Sequence, residues 1–202
     1  MRGSLATLLA VAAYGALHSL LATVWVKRRA ATALGSSGRR LYRVSYNLIA
    51  LLTLLPVLAV PALQPGLTLY RLSWPWAALA LAGQGLALFF LVLGLLQTDP
   101  RHFLGIRQLL LEADRETPRL VVTGLYRWVR HPLYAAGLAL LWLTPVLTVN
   151  LLVLFLGLTL YVLIGSHFEE QRLLAEFGPA YATYQVRVPR LIPRPWRRLP
   201  PN

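Results

Sequence analysis

The sequence predicts an all-α protein that crosses a membrane about five times, with a C-terminal helical hairpin and a cytoplasmic amphipathic helix after it. Three observations predict this. The 202 residues are 57% hydrophobic and 13% charged, with a mean hydropathy of +0.57, a balance that soluble domains of this size rarely show. The apolar residues gather into long runs separated by shorter polar stretches. The formal net charge is +13, and the basic residues flank the apolar runs. Such flanks fit anionic lipid at a membrane surface; no nucleic-acid module surrounds them, so nucleic acid is not expected as a partner. The chain has no cysteine, which removes disulfides, thiolate metal sites and a cysteine nucleophile.

Residues 5–26 form the first expected span. At 1.5 Å per residue they reach roughly 33 Å, enough to cross a bilayer and too long for a signal peptide. Lys27, Arg28 and Arg29 close the span. His18 and Ser19 lie inside it, where polar side chains face protein, and a helix–helix hydrogen bond is the simplest expectation. Residues 27–43 read as a basic loop that turns at Gly35-Ser36-Ser37-Gly38. Residues 44–63 form the second span, with Asn47 near its start and Pro56 and Pro61 near its end. Gln64-Pro65-Gly66 breaks it. Residues 74–96 form the third, anchored by Trp74 and Trp76. Gly83-Gln84-Gly85 follows no strand, so it reads as close helix packing and not as a dinucleotide fingerprint.

Residues 97–131 are the longest polar segment, with Asp99, Glu112, Asp114 and Glu116 among arginines. Phe103, Ile106 and Leu110 recur at helical spacing, as on a surface helix. Residues 133–165 are one apolar run. As a single helix it would reach roughly 50 Å, too long for one crossing. Thr144-Pro145 and Asn150 supply a turn, so the run reads as a hairpin of two rather short helices. In the tail, Leu173, Leu174, Phe177, Tyr181 and Tyr184 repeat at three and four, with Gly178-Pro179 as an interruption. Trp196-Arg197-Arg198 reads as an interface anchor. The whole chain is one integral membrane domain, with three spans in 1–98 and the site-bearing loop, hairpin and tail in 99–202.

Eighteen of the twenty Lys and Arg residues fall on one side of this layout, leaving Arg2 and Arg71 on the other. The positive-inside rule then puts the N-terminus outside and the C-terminus in the cytoplasm, as in a bacterial inner membrane.

Two polar knots frame the hairpin. Arg130-His131-Pro132 ends a loop, and Pro132 suits the first turn of a helix. His131 and Tyr134 then share a face at its mouth. His167-Phe168-Glu169-Glu170 ends the second arm. Folding the hairpin collects His131, Tyr134, Glu169, Glu170, Tyr181 and Tyr184 at one mouth. Carboxylates there can hold an ammonium or ribose hydroxyls, and aromatic faces can stack a base or attract a cation. No phosphate cradle is present. His167 and Glu170 stand three apart, but without thiols or a His-Glu-x-x-His pattern no metal site is expected. Taken singly, Arg130 and His131 read better as cytoplasmic flanks, and Glu169-Glu170 as a helix end meeting water; together at both ends of one hairpin, with tyrosines following, they point to a site.

The stretch Thr123-Gly124-Leu125-Tyr126-Arg127-x-Val129-Arg130-His131-Pro132-x-Tyr134-x-x-Gly137 resembles the signature of the isoprenylcysteine carboxyl methyltransferase and phospholipid methyltransferase group. So do Glu169-Glu170-x-x-Leu173, Phe177-Gly178-x-x-Tyr181-x-x-Tyr184 and Val188-Pro189-Arg190-x-Ile192-Pro193. Leu125 departs from the usual proline. The resemblance covers about the last eighty residues. It implies S-adenosylmethionine as cofactor, held by His131, Tyr134, Glu169 and Glu170 together with the motif residues Tyr126, Arg130, Pro132, Gly137, Tyr181 and Tyr184. It also implies Arg187 and Arg190 near the acceptor as catalytic candidates. In the first half, His18-Ser19-Leu20-Leu21-Ala22 with Lys27, and Tyr42-Arg43-x-x-Tyr46-Asn47, are similar to NnrU-like and small-thiol methyltransferase relatives. The implied activity is methyl transfer to a lipidic or small carboxylate or thiol acceptor at the cytoplasmic face. Two readings compete with it: an NADPH-dependent membrane reductase of the sterol-reductase type, and a non-enzymatic membrane protein that binds lipid or a partner.

Overall fold

The structure, a computed structural model, describes residues 2–98, 100, 119–194 and 196–199. The surface helix expected around Phe103, Ile106 and Leu110, and the acidic residues Asp99, Glu112, Asp114 and Glu116, lie outside the described residues. Among the described residues the elements follow in this order: α1 (Arg2–Ala22), α2 (Val24–Leu63), β1 (Thr68–Arg71), α3 (Trp76–Gln97), α4 (Pro132–Trp142), β2 (Val146–Thr148), α5 (Val149–Phe177) and α6 (Pro179–Arg187). A 3-10 turn, Gly124–Arg127, precedes α4. α1, the Arg40–Leu63 part of α2, α3 and α5 are long and apolar enough to cross a membrane, and α4 is a shorter apolar helix. The protein is a polytopic all-α membrane protein.

The chain divides into two compact units. The first contains α1, α2, the strand pair and the start of α5. α1 buries Thr7, Val11 and Gly15 at intervals of four, which is one helix face. Gly157 lets α5 approach it: a Cβ there would stand 2.9 Å from Val11 Cγ1. Asn150 ties three segments together, since its Oδ1 accepts from Ser4 Oγ at 2.6 Å and its amide donates to the Gln64 carbonyl. His18 Nε2 meets the Tyr46 hydroxyl at 2.5 Å, the helix–helix bond expected for a polar residue at that depth.

Two expectations need correction here. The basic stretch 27–43 is not a loop. It is helical within α2, broken only at Gly35, where φ is +59° and ψ −136°. The run Lys27-Arg28-Arg29-Ala30-Ala31 has strong helix propensity, and its charges mark a solvated helix, not a turn. The first helix also ends earlier than expected, at Ala22. Thr23 caps α2 by accepting the Val26 N–H, so the basic cluster opens α2 and does not close α1. The strands were not anticipated. β1 and β2 pair antiparallel, Thr68 opposite Thr148 and Arg71 opposite Val146, and satisfy main-chain groups that the helix breaks expose.

The second unit contains α3, α4, most of α5, α6 and the tail. α3 buries Ala80, Ala87 and Gly94, seven apart, and these small residues admit α4. A Cβ on Gly83 would meet Leu143 at 3.0 Å, and one on Gly94 would meet Leu133 at 3.2 Å. Gln84 adds a bond to the Leu140 carbonyl at 2.8 Å. The hairpin is present with unequal arms, not two short ones. α4 has 11 residues and α5 has 29, running through Glu169 and Glu170 to Phe177. Nothing inside residues 149–177 breaks a helix, so the second arm stops only at Gly178, where φ is +52°, ahead of Pro179.

Candidate functional site

Pro132 opens α4 at its first position, as its fixed φ favours, and His131 precedes it as the cap residue. The approach loop is pinned to the chain after α6. Arg130 N–H donates to the Pro189 carbonyl at 2.9 Å, and His131 N–H to the Arg190 carbonyl at 3.1 Å. Tyr184 Oη donates to the Tyr126 carbonyl at 2.6 Å. Behind these bonds, Tyr181, Tyr184 and Val188 form a core with Leu120, Val122, Leu173, Phe177 and Leu199.

On this base the two polar knots meet. Glu170 Oε1 accepts from Arg130 Nε at 2.7 Å and from His131 Nε2 at 3.0 Å. Arg190 Nε stands 3.9 Å from the same oxygen. Glu170 Oε2 takes the Gln185 amide at 3.3 Å. Arg130 Nη1 also donates to the carbonyls of Gln185 at 3.0 Å and Val188 at 2.5 Å, which fixes the guanidinium in place. His131 and Glu170 are buried, 6% and 8% exposed. The Glu170 carboxylate thus has the Arg130 guanidinium against it and the Arg190 guanidinium close by, the pairing under which a buried charge persists.

Nearer the surface, Tyr134 Oη donates to Glu169 Oε2 at 2.9 Å. The Tyr134 ring stacks on His131 with centroids 5.4 Å apart and planes 15° from parallel. His131 Nδ1 lies 3.7 Å from Glu169 Oε2. The Glu169 side chain keeps about a third of its surface exposed, so this is the side from which a ligand can reach the knot. Burial, then the charge of Glu169, pushes the Tyr126 phenol up to about 12. Burial, then Glu170, pushes Tyr181 up to about 12, and burial followed by Tyr181 raises Tyr184 as well. All three phenols stay neutral donors at physiological pH.

The structure therefore brings His131, Tyr134, Glu169, Glu170 and Arg130 together and sets Arg190 beside them. Tyr181 and Tyr184 stand in the core behind. The Tyr181 hydroxyl is buried with no hydrogen-bond partner among the described residues. Tyr126 contributes its carbonyl. Gly137 faces α3, with Leu91 3.9 Å from where its Cβ would be, and serves packing there. Arg187 is exposed at the end of α6. Gln185 and Gln97 were missed. Gln97 Oε1 accepts the Leu125 N–H at 2.9 Å and holds the 3-10 turn. Isolated glutamines carry no pattern in sequence that would mark them. A cavity of about 350 Å³ near Gly3, Gln64 and Asn150 belongs to the first unit and holds none of the expected site residues.

Fold and site together define a polytopic helical membrane protein with a buried Arg-His-Glu knot at one mouth of a helical hairpin. A family profile described as NnrU protein matches residues 6–194, and the chain belongs to the NnrU family. It is similar to a methanethiol S-methyltransferase of Pseudomonas sp., with 36% identity over 167 residues, covering 76% of this chain and 60% of that protein. It is also 46% identical over 74 residues to methanethiol S-methyltransferase 2 of Bradyrhizobium diazoefficiens, covering 37% of this chain and 29% of that protein. Similarity to a Mycobacterium tuberculosis methanethiol S-methyltransferase is 42% over 73 residues, 36% of this chain and 30% of the other. The matches thus span between about three-tenths and three-fifths of these relatives' lengths. No solved structure matches the chain.

Proposed function

We propose that this protein is an integral membrane methyltransferase that uses S-adenosylmethionine and methylates a small thiol at the cytoplasmic face of a bacterial inner membrane. The observation that carries the reading is the Arg130-His131-Glu170 knot on a chain whose relatives are named methanethiol S-methyltransferases. Those names favour methyl transfer over NADPH reduction or a purely lipid-binding role, and a small thiol over a lipidic acceptor. The excess of basic residues on one side supports a cytoplasmic C-terminus.

The residues fit the cofactor by two observations. The buried Tyr181 hydroxyl has a hydrogen to donate and no partner among the described residues. Glu169 offers a partly exposed carboxylate beside the stacked rings of His131 and Tyr134, a setting for a cationic ligand with an aromatic base. When bound, S-adenosylmethionine supplies an electrophilic methyl on a sulfonium. The chain's own part is to hold and orient. Arg130 fixes Glu170, Glu170 fixes His131, and Tyr134 fixes Glu169. Arg190, with Arg187, is the cationic candidate to orient a thiolate acceptor, since the thiolate is the nucleophilic form. Transfer between two positioned groups relies on alignment more than on acid–base help.

The test is a thermal-shift titration of detergent-purified protein with S-adenosylmethionine and with NADPH, followed by product analysis with methanethiol. S-adenosylmethionine at a hundred times its Kd should stabilise by about 2.7 kcal/mol. Stabilisation by NADPH alone would turn the reading to a reductase.

A further inference from the structure

We propose that the C-terminal segment from Val186 to Arg198 is a docking surface for anionic phospholipid headgroups, and that lipid bound there steadies the loop carrying Arg130 and His131. The second clause rests on the function proposed above.

The surface is basic and apolar at once. After Glu176 the chain contains five arginines and no acidic residue. Val186, Ile192 and Trp196 are 71%, 76% and 80% exposed, and Arg187, Arg194, Arg197 and Arg198 are exposed beside them. One side-chain bond and one main-chain bond keep these residues together. Arg197 Nη2 donates to the Val186 carbonyl, and Arg197 N–H to the Arg194 carbonyl at 2.8 Å. Exposed tryptophan among arginines suits the boundary between headgroups and acyl chains, and the charge complements anionic lipid. A soluble polyanion would be met by the charges but would leave Trp196 and Ile192 in water.

The same segment is clasped to the candidate site. Arg127 Nε and Nη2 donate to the Leu199 carbonyl at 3.2 and 2.8 Å, and Leu199 N–H donates back to the Arg127 carbonyl at 3.2 Å. The Arg198 guanidinium lies 4.3 Å from the centre of the Trp128 ring. Leu199 packs on the Tyr181, Tyr184 and Val188 core. The tail thus grips residues 127 and 128, directly ahead of Arg130 and His131. Holding the tail at a surface restrains that loop.

The chain has no cysteine, so a Val186→Cys variant takes one environment-sensitive label. The full-length protein is placed in nanodiscs of zwitterionic lipid alone or of zwitterionic lipid mixed with phosphatidylglycerol. Label emission should shift to the blue with anionic lipid and revert in high salt. Arg194→Gln with Arg197→Gln, two exposed arginines outside the candidate site, should weaken the response, since each arginine near a charged surface is worth roughly a five-fold change in association. In the parent protein S-adenosylmethionine should bind several-fold tighter in anionic discs, and this gain should vanish in the double variant. Emission indifferent to lipid charge, or shifted equally by soluble polyphosphate, would overturn the docking surface. Cofactor affinity that ignores lipid charge while the label responds would overturn the coupling. A label response with no cofactor binding under any condition supports the surface and refutes the methyltransferase reading instead.

Discussion

Arg130 and Glu170, forty residues apart in the chain, meet at 2.7 Å with both side chains about nine-tenths buried. One stands just before α4 and the other near the end of α5, so this pair closes the hairpin mouth. Removing either partner leaves a buried charge without its counter-ion, which typically costs about 3–5 kcal/mol.

Glu170→Ala should therefore lower the melting temperature markedly, and the surviving folded protein should bind S-adenosylmethionine roughly ten- to a hundredfold more weakly. Glu170→Gln keeps an acceptor for Arg130 Nε and should lose less stability. Calorimetry on monodisperse protein in detergent separates the two effects. Equal affinity in parent and Glu170→Ala would remove Glu170 from the site.

Much of this was legible because the signals were collective. Long apolar runs reveal spans without regard to neighbours, and Pro132 after Arg130-His131 marks a helix start by its missing N–H. What escaped depended on single contacts. Thr68–Arg71 and Val146–Thr148 are too short to show a strand period, and only pairing across some eighty residues makes them strands. Residues 27–43 carry a loop's charge and a Gly-Ser-Ser-Gly turn signal, and these mask the helix propensity of the stretch on either side of Gly35. Gln185 and Gln97 earn their places through one amide each, and Leu199 through a main-chain carbonyl that any residue carries.

The tyrosines behind the site should behave differently from one another. Tyr184→Phe loses a bond to the Tyr126 carbonyl and should cost about 1 kcal/mol. Tyr181→Phe removes a buried hydroxyl with no partner among the described residues, so stability should hold or rise, while S-adenosylmethionine affinity falls if that hydroxyl serves the ligand. Tyr126 and Tyr181 have folded pKa values of about 12, above an ordinary value of 10. Their stabilising share is fully present below pH 10 and is lost as pH rises through 12. Melting curves should fall across that window, and less steeply in Tyr181→Phe. An identical pH slope in both proteins would contradict the assignment.

Gly124→Ala tests the turn that delivers the loop. Gly124 has φ +58°, a region costly for a residue with a Cβ, and that Cβ would stand 2.5 Å from the Gln97 amide. Gln97 would have to swing away and release the Leu125 N–H. The variant should lose about 2–3 kcal/mol, of which about 1–2 is backbone strain and about 1 the lost bond. Gln97→Ala alone should lose only the bond. Combining the two substitutions should then cost less than their sum, because the bond can be lost only once. Full additivity in a double-mutant cycle would show that the amide does not hold the turn.

His131 separates a site from a membrane flank most directly. A cytoplasmic flank needs polarity and charge, and lysine would serve there as well as histidine. The position in the structure is different. The ring is 6% exposed, Nε2 faces Glu170 at 3.0 Å, and one face stacks on Tyr134. A flat ring with separate nitrogen positions is what those neighbours fit, and lysine has neither the ring nor an acceptor. Lysine would also add a third fixed cation beside Arg130 and Arg190. His131→Gln keeps a donor for Glu170 without the ring, so it should fold with a loss of about 1 kcal/mol. Both His131→Gln and His131→Lys should lose methyl transfer at least tenfold, and His131→Lys should also melt earlier. Tyr134→Phe keeps the stack but drops the bond to Glu169. It should be mild if stacking is what matters and severe if the position of Glu169 is. The measurement is methyl transfer per milligram of protein that elutes as a single species in detergent. Near-normal turnover in His131→Lys would return His131 to the role of a flank, and the Arg130-His131-Pro132 turn would no longer define the site.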